Sequence, residues 1–213
     1  MAGAGGSGGS GLRRGLIWGL LVAALVVVIA ATVLQRMRRP EPPPVLGPAP
    51  AFILTNRDGR SVRGEELAGQ PWIADFIFTR CPASCPMMTA RMARLDRELA
   101  KDHEVKLVSF SVDPDHDTPA VLQRYAESYK APPRWLFLTG DKTEIYRLSR
   151  QGFKLGIEIP AATAAPGTPP VEPILHSTRF VLVDGLGRIR GYYDGFDEDS
   201  MQKLRRDLAA VEG

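Results

Sequence analysis

Cysteine and histidine are scarce in this sequence, which has two cysteines and three histidines among 213 residues. So few cysteines exclude a disulfide-rich scaffold, and so few ligands of either type argue against a closed structural zinc site. An excess of positive charge is also missing from most of the chain. Five of the 27 basic residues lie before position 40, which leaves 22 against 24 acidic residues, or a net charge of −2, from Pro40 onward. This balance excludes the basic surface that binding to nucleic acid requires.

Acidic residues are absent before Glu41, and residues 16–34 carry no charge of either sign. A run of ~20 apolar residues can cross a bilayer, and this run is longer than the core of a usual signal peptide. A cleaved signal peptide, with the small residues Ala30 and Ala31 near its end, is the alternative. Six prolines lie between Pro40 and Pro50 and indicate a stiff spacer. We therefore predict a flexible tail over 1–14, a transmembrane anchor over 15–36 and a proline-rich linker over 37–50.

The remainder of the chain alternates between apolar runs typical of buried strands and segments with the period of amphipathic helices. Strands are predicted at 72–78, 106–112 and 135–140, and helices at 86–101, 118–129 and 142–150. A hairpin that turns at Asp184 and a helix at 198–211 follow. The pattern predicts an α/β fold over residues 51–213, with one mixed sheet covered by helices on both faces.

The two cysteines, Cys81 and Cys85, lie in the run FTRCPASCPMM, between the first of these strands and the helix that follows it. Thioredoxin-like folds carry their active site at such a junction, so the domain is predicted to be thioredoxin-like. Positions i and i+4 share one face of a helix, which lets both sulfurs bind one ion or form a disulfide. A plain structural disulfide is the alternative, although so small a loop stabilises little. Because a helix N-terminus lowers the pKa of a thiol, we expect the pair to be partly ionised near neutral pH.

Four features carry a resemblance to a known family: the run FTRCPASCP, the run SVDPDHDTP, His176 before a hydrophobic strand, and the N-terminal anchor. The sequence resembles the Sco/SenC family of membrane-anchored, thioredoxin-like proteins, which deliver copper to the CuA site of cytochrome c oxidase. The resemblance implies that Cys81, Cys85 and His176 bind one copper ion, as Cu(I) or Cu(II). The chemistry agrees, because thiolates stabilise Cu(I) and an imidazole lets the same site accept Cu(II).

Two aspartates in the run SVDPDHDTP are candidates for other roles. Asp113 is a candidate for modulating the copper site or for docking a partner. Asp117 directly precedes Thr118 and Pro119, where a helix is predicted to begin, so one of these residues is expected to cap that helix.

Two features near the expected ligands depart from the family pattern. Arg80, before the first cysteine, stands where the family often has His or Tyr; it either adds positive charge near the thiols or is a solvated loop residue. Residues 160–173 are rich in Ala, Pro and Thr, which predicts a long loop ahead of His176. We hypothesise that closure of this loop gates the uptake and release of copper.

The leading hypothesis is a copper metallochaperone that exchanges copper with other donors and passes it to the CuA site in subunit II of cytochrome c oxidase. The alternative is a thiol-disulfide oxidoreductase or redox sensor that cycles Cys81 and Cys85. Two arginines precede the anchor and three follow it, so charge alone does not orient the chain in a membrane. Paired cysteines favour an oxidising or metal-handling compartment, and the lack of an Arg-rich transit segment favours a bacterial cell. We therefore expect a single-pass protein of the bacterial inner membrane with its domain in the periplasm.

Overall fold

The computed structural model describes residues 9–37, 41–82, 84–99, 104–155 and 177–212, with side chains only from 15 to 32 in the first range. The chain divides into two compact units, Met1–Glu41 and Pro42–Gly213. The first unit contains one long helix, and the second contains a sheet with the other helices.

The helix of the first unit, α1, runs from Gly9 to Met37. Within it, Gly15–Thr32 is long and apolar enough to cross a membrane, as the sequence predicts. Its large apolar side chains are exposed, which suits a surface that faces lipid. The helix begins earlier than expected, because part of the tail predicted over 1–14 is helical from Gly9. Once a helix has formed, each further residue adds a backbone hydrogen bond, which offsets much of the about 1 kcal/mol that a glycine costs.

The second unit is built on one sheet, with eight strands in the described residues. In chain order these are β1 (Gly47–Pro48), β2 (Ile53–Asn56), β3 (Ser61–Arg63), β4 (Trp72–Ile77), β5 (Lys106–Ser111), β6 (Trp135–Thr139), β7 (Arg179–Val183) and β8 (Arg188–Asp194). The helices that flank the sheet are α2 (Ser84–Leu99), α3 (Pro119–Ser128), α4 (Lys142–Arg147) and α5 (Glu198–Val211). The strand order is β1-β8-β7-β4-β5-β6-β2-β3. This mixed sheet with flanking helices confirms the predicted α/β class.

The middle of the sheet determines where the functional loops lie. Strand β4 pairs in parallel with β5, and β5 in parallel with β6, with α2 and α3 as the crossovers that parallel neighbours need. All six residues of β4 are buried, as expected for a central parallel strand. The loops that follow β4 and β5 leave the sheet at the same end, which we call the site end. Strand β7 runs antiparallel to β4 and therefore begins at the site end.

The sheet of the second unit includes residues that precede the predicted domain start at residue 51. Strand β1 lies inside the predicted linker and pairs antiparallel with β8. The N–H of Leu46 donates to the carbonyl of Ile189 at 2.8 Å, and the N–H of Ala49 donates to that of Gly187 at 2.7 Å. Proline is tolerated here because an edge strand is paired on one side only, so a missing N–H can face away from the sheet.

Two helices differ from their predicted limits. Helix α2 begins at Ser84 rather than at residue 86, so Cys85 lies in its first turn while Cys81 lies in the loop before it. The i, i+4 interpretation assumed that the backbone is helical from Cys81 onward. The two cysteines do not share one continuous helix. After β6, the predicted helix over 142–150 becomes α4 followed by a π-helical turn, Leu148–Gly152.

Strand β4 buries a carboxyl group beside an aromatic core. Phe76 stacks on Phe110 with ring centres 5.0 Å apart, and Phe153 packs against both rings. The preceding residue, Asp75, points to the opposite face of the sheet and is fully buried. Among the described residues, neither of its carboxylate oxygens meets a donor at hydrogen-bonding distance. Burial raises the pKa of Asp75 to about 7.

This buried acid predicts a specific dependence of stability on pH. Between about pH 4 and pH 7 the unfolded chain loses the Asp75 proton while the folded protein keeps it, so the free energy of unfolding falls as pH rises. The fall amounts to at most about 4 kcal/mol and ends above the folded-state pKa, where both states are ionised. Asp75→Asn should remove this decline in urea titrations followed by tryptophan fluorescence. Asp115→Asn, whose side chain is 75% exposed, is the matched control and should retain it. The same pH slope in Asp75→Asn and in the wild type would contradict the assignment.

Candidate metal and thiol site

The two cysteines lie together at the site end of the sheet. Cys81 follows β4 in a tight loop, where its N–H donates to the carbonyl of Phe78 at 3.2 Å. The N–H of Cys85, in the first turn of α2, donates to Sγ of Cys81 at 3.4 Å. Both side chains are buried, with 5% of each residue exposed, and no disulfide joins them. The local fold therefore brings two reduced thiols within reach of one ion or of each other.

The environment of Cys85 opposes the ionisation expected for this thiol. Its place at a helix N-terminus predicted a lowered pKa, but burial raises the pKa of this thiol. The neighbouring sulfur of Cys81 and the carboxyl of Asp75 raise it further, while a hydrogen bond from the Phe78 backbone lowers it. Cys85 is therefore a neutral thiol at neutral pH.

Helix α3 supports the first turn of α2 from the side. The hydroxyl of Thr89 donates to the carbonyl of Cys85 at 2.9 Å and lies 2.8 Å from the hydroxyl of Tyr125. The hydroxyl of Tyr129 donates to the carbonyl of Pro86 at 3.5 Å. Tyr125 of α3, through Thr89, and Tyr129, directly after α3, thus support the backbone that carries Cys85.

Asp113, which follows β5, forms an ion pair with Arg80. Arg80 lies in the loop between β4 and α2 that carries Cys81, which we call the cysteine loop. The Arg80 guanidinium donates from Nη2 and Nε to one Asp113 carboxylate oxygen, at 2.6 and 3.0 Å. The arginine side chain is 58% exposed and the aspartate side chain 12%. Arg80 is therefore a partly exposed clamp between two loops rather than an isolated solvated residue.

Asp117 is fully buried and lies under the cysteine loop. Its carboxylate accepts from the Thr79 N–H at 3.1 Å, from the Thr79 hydroxyl at 2.5 Å and from the Ser111 hydroxyl at 2.6 Å. Nδ1 of His116 lies 3.0 Å from the same group. The residue that caps α3 is Thr118, whose side chain accepts from the N–H of Val121. Asp117 therefore has a different role, which the sequence did not reveal. The signal that could have revealed it is a carboxylate that follows β5, at the end of the sheet where the cysteine loop also lies.

The side chains of Asp113, His116 and Asp117 lie close enough together to be considered as a metal site, with one ligand atom from each within 4.8 Å of the others. Their oxygens are, however, engaged by Arg80, Thr79 and Ser111. This cluster is a hydrogen-bonded support for the cysteine loop.

The third predicted ligand, His176, lies outside the described residues, as does the loop predicted over 160–173. The chain is described again from Ser177, just before β7. Ala74 of β4 pairs with Val181 of β7, and this antiparallel register leads the start of β7 to the site end. The carbonyl of Thr178 accepts from the N–H of Gly195 at 2.7 Å, which fixes the chain there.

The fold and the site together define a class: a thioredoxin-like protein with two buried cysteines at the junction of a central strand and its helix, and with an apolar N-terminal helix. Residues 45–211 match the SCO1/SenC family. The chain therefore belongs to the SCO1/SenC family.

Known relatives agree with this assignment. A SCO1 protein homolog of Bacillus subtilis (strain 168) is 34% identical over 163 residues, which cover 75% of this chain and 80% of the homolog. The structure of BsSco, a member of the Sco family of cytochrome c oxidase assembly proteins in which a disulfide switch was identified, aligns with a TM-score of 0.65 and 32% identity. That alignment covers 82% of this chain and 99% of BsSco. Bradyrhizobium japonicum ScoI with copper bound aligns with a TM-score of 0.60 and 27% identity, over 74% of this chain and 98% of ScoI. These likenesses confirm the predicted family and its thioredoxin-like fold.

The Arg80–Asp113 pair predicts a small, salt-sensitive coupling between the two loops. In a double-mutant cycle of Arg80→Ala and Asp113→Ala, the coupling in unfolding free energy should be about 0.2 to 1 kcal/mol, because the pair is partly exposed. It should shrink in about 1 M salt, where screening acts over a few ångströms. A coupling that is absent at low salt, or unchanged at high salt, would contradict this interpretation.

Proposed function

We propose that this protein binds one copper ion, as Cu(I) or Cu(II), through Cys81, Cys85 and His176. The observation that carries the proposal is the pair of buried thiols joined by the Cys85 N–H to Cys81 Sγ contact of 3.4 Å. Two thiolates are the protein ligands that Cu(I) prefers, and their two negative charges would balance the charge of Cu(II). Membership of the SCO1/SenC family and the copper-bound relative support copper over other soft metals.

His176 is proposed as the third ligand because of where its chain neighbour lies. Ser177 directly follows it and leads into β7, which begins at the site end beside β4. An imidazole beside two sulfurs would let the same site hold Cu(II) as well as Cu(I). Three protein ligands leave room for an incoming ligand, so copper can be exchanged with another protein.

We further propose that the recipient is the CuA site in subunit II of cytochrome c oxidase, and that other copper donors load the protein. The apolar segment of α1 would anchor the chain in the bacterial inner membrane, with the domain in the periplasm. BsSco, which belongs to a family of cytochrome c oxidase assembly proteins, supports the oxidase as the partner.

The second candidate function is thiol-disulfide exchange, which the closeness of the two cysteines favours. In this reaction Cys81 and Cys85 would each lose a proton and together give two electrons to a target disulfide. A disulfide would form here as the target's sulfur–sulfur bond breaks and takes up two protons. The disulfide switch identified in BsSco supports this reading of the pair.

The binding proposal is tested with the reduced protein under anaerobic conditions. The wild type should retain one copper per chain and, with Cu(II), show a thiolate-to-copper charge-transfer band. His176→Ala should lose stable Cu(II) and its band, and Cys81→Ser and Cys85→Ser should lose both oxidation states. His103→Ala, which alters a histidine outside the proposed ligand set, is the matched control and should behave as the wild type.

Two outcomes would redirect the assignment. A wild type that retains no copper, with Cys81 and Cys85 oxidising to a disulfide, would reject the metallochaperone and leave thiol exchange as the main function. Wild-type copper binding in His176→Ala would reject the histidine as a ligand. The second candidate function predicts a different result. If the dithiol reacts independently of copper, His176→Ala should reduce a model disulfide at the wild-type rate.

A further inference from the structure

We propose that Asp117 is a positioning residue that holds Cys81 where copper can bind. The proposal rests on the copper site proposed above and assigns part of its affinity to a carboxylate that does not touch the metal. Asp117 reaches Cys81 through Thr79, which lies two residues before the cysteine.

The contact between Asp117 and Thr79 fixes the loop at two points. The Thr79 backbone N–H donates to Oδ2 of Asp117 at 3.1 Å, and the Thr79 hydroxyl donates to Oδ1 at 2.5 Å. One donor belongs to the main chain and the other to the side chain, so together they fix both the position and the rotation of this residue. The Cys81 backbone follows after only one intervening residue.

Burial makes this anchor hard to release. Asp117 and Ser111 are both fully buried, and the Ser111 hydroxyl donates to Oδ2 of Asp117 at 2.6 Å. Hydrogen bonds to a carboxylate are stronger than those between neutral groups, and a buried carboxylate that loses its donors is costly. Moving the cysteine loop away from β5 would separate Thr79 from this carboxylate, so the network resists that motion.

The neighbouring link between Arg80 and Asp113 differs in kind. Its arginine is more than half exposed, so water can replace the interaction at little cost. The loop thus has one buried anchor and one exposed clamp, and the buried anchor is expected to dominate the geometry of Cys81. Groups that hold metal ligands in place commonly account for about 10- to 100-fold in metal affinity.

The test uses the full reduced chain and two measurements. The first is Cu(I) affinity, from competition with a chromophoric chelator. The second is the rate of iodoacetamide alkylation at Cys81 without metal. Asp117→Asn, which keeps the shape but replaces one acceptor oxygen with a donor, should weaken Cu(I) binding about 10- to 100-fold. The same change should speed alkylation of Cys81 about tenfold, because the loop opens more often.

A matched pair at Thr79 separates the hydrogen bond from the volume of the side chain. Thr79→Ser keeps the hydroxyl and should bind copper within about threefold of the wild type, whereas Thr79→Val keeps the shape without the hydroxyl and should lose about tenfold. Leu208→Ala in α5, a fully buried position remote from the two loops in the chain, controls for general destabilisation. It should lower the urea midpoint without changing either measurement under conditions where the protein is folded.

The possible results keep the two proposals apart. Wild-type copper affinity and wild-type alkylation in both Asp117→Asn and Thr79→Val would overturn the positioning role and leave the copper site standing. If the wild type binds no copper, the copper proposal fails, and the alkylation rates alone decide the role of Asp117. Equal losses of copper affinity in Thr79→Ser and Thr79→Val would also overturn the positioning role, because the Thr79 hydroxyl would then not matter.

Discussion

Parallel pairing of β4 with β5 is the constraint on which the site depends. It brings the ends of two strands more than 30 residues apart in sequence to one end of the sheet. The cysteine loop therefore lies beside the loop after β5, which carries Asp113 and Asp117. Antiparallel pairing of β7 with β4 adds a third segment, which begins at Ser177 and Thr178. None of these segments is near the others in the chain. The sheet therefore determines which side chains meet, and local helix geometry only refines their positions.

The first cysteine is held by polar contacts and the second by a helix. Thr79 and Arg80, which precede Cys81, bind the loop after β5 through Asp117 and Asp113. Cys85 lies in α2, whose first turn is supported by the hydroxyl groups of Tyr125 in α3 and of Tyr129 directly after α3. The distance between the sulfurs thus depends on how two separately supported segments are placed against the same sheet. The two sulfurs can therefore be held close together without a disulfide.

The features that could be predicted from the sequence are those with a strong local signal. The apolar runs of β4 to β6, the amphipathic period of α2 and the turn at Asp184 each determine their own structure, and the family motif identified the cysteine pair. Strand β1 was missed because it is two residues long and its pairing depends on Ile189, far along the chain. Asp117 was assigned to a helix start because a polar residue before Thr118 and Pro119 fits a cap equally well. Only the contacts between the two loops show that it accepts hydrogen bonds from Thr79. His176 stays a prediction, since its position depends on a segment outside the described residues.

Burial also determines which reactions suit the two thiols. Removing Cys85 from water raises its pKa, and the neighbouring Cys81 and Asp75 add to the cost of a negative charge there. Two uncompensated thiolates would therefore be poorly tolerated, because like charges repel strongly where water is excluded. Two events relieve this cost: a cation can bind both sulfurs as their protons leave, or the pair can give up two electrons and two protons as a disulfide forms. The same packing thus disfavours an ionised, freely reactive thiol and favours both reactions proposed for the site. The choice between them then rests on whether a further ligand from the start of β7 is available to the metal.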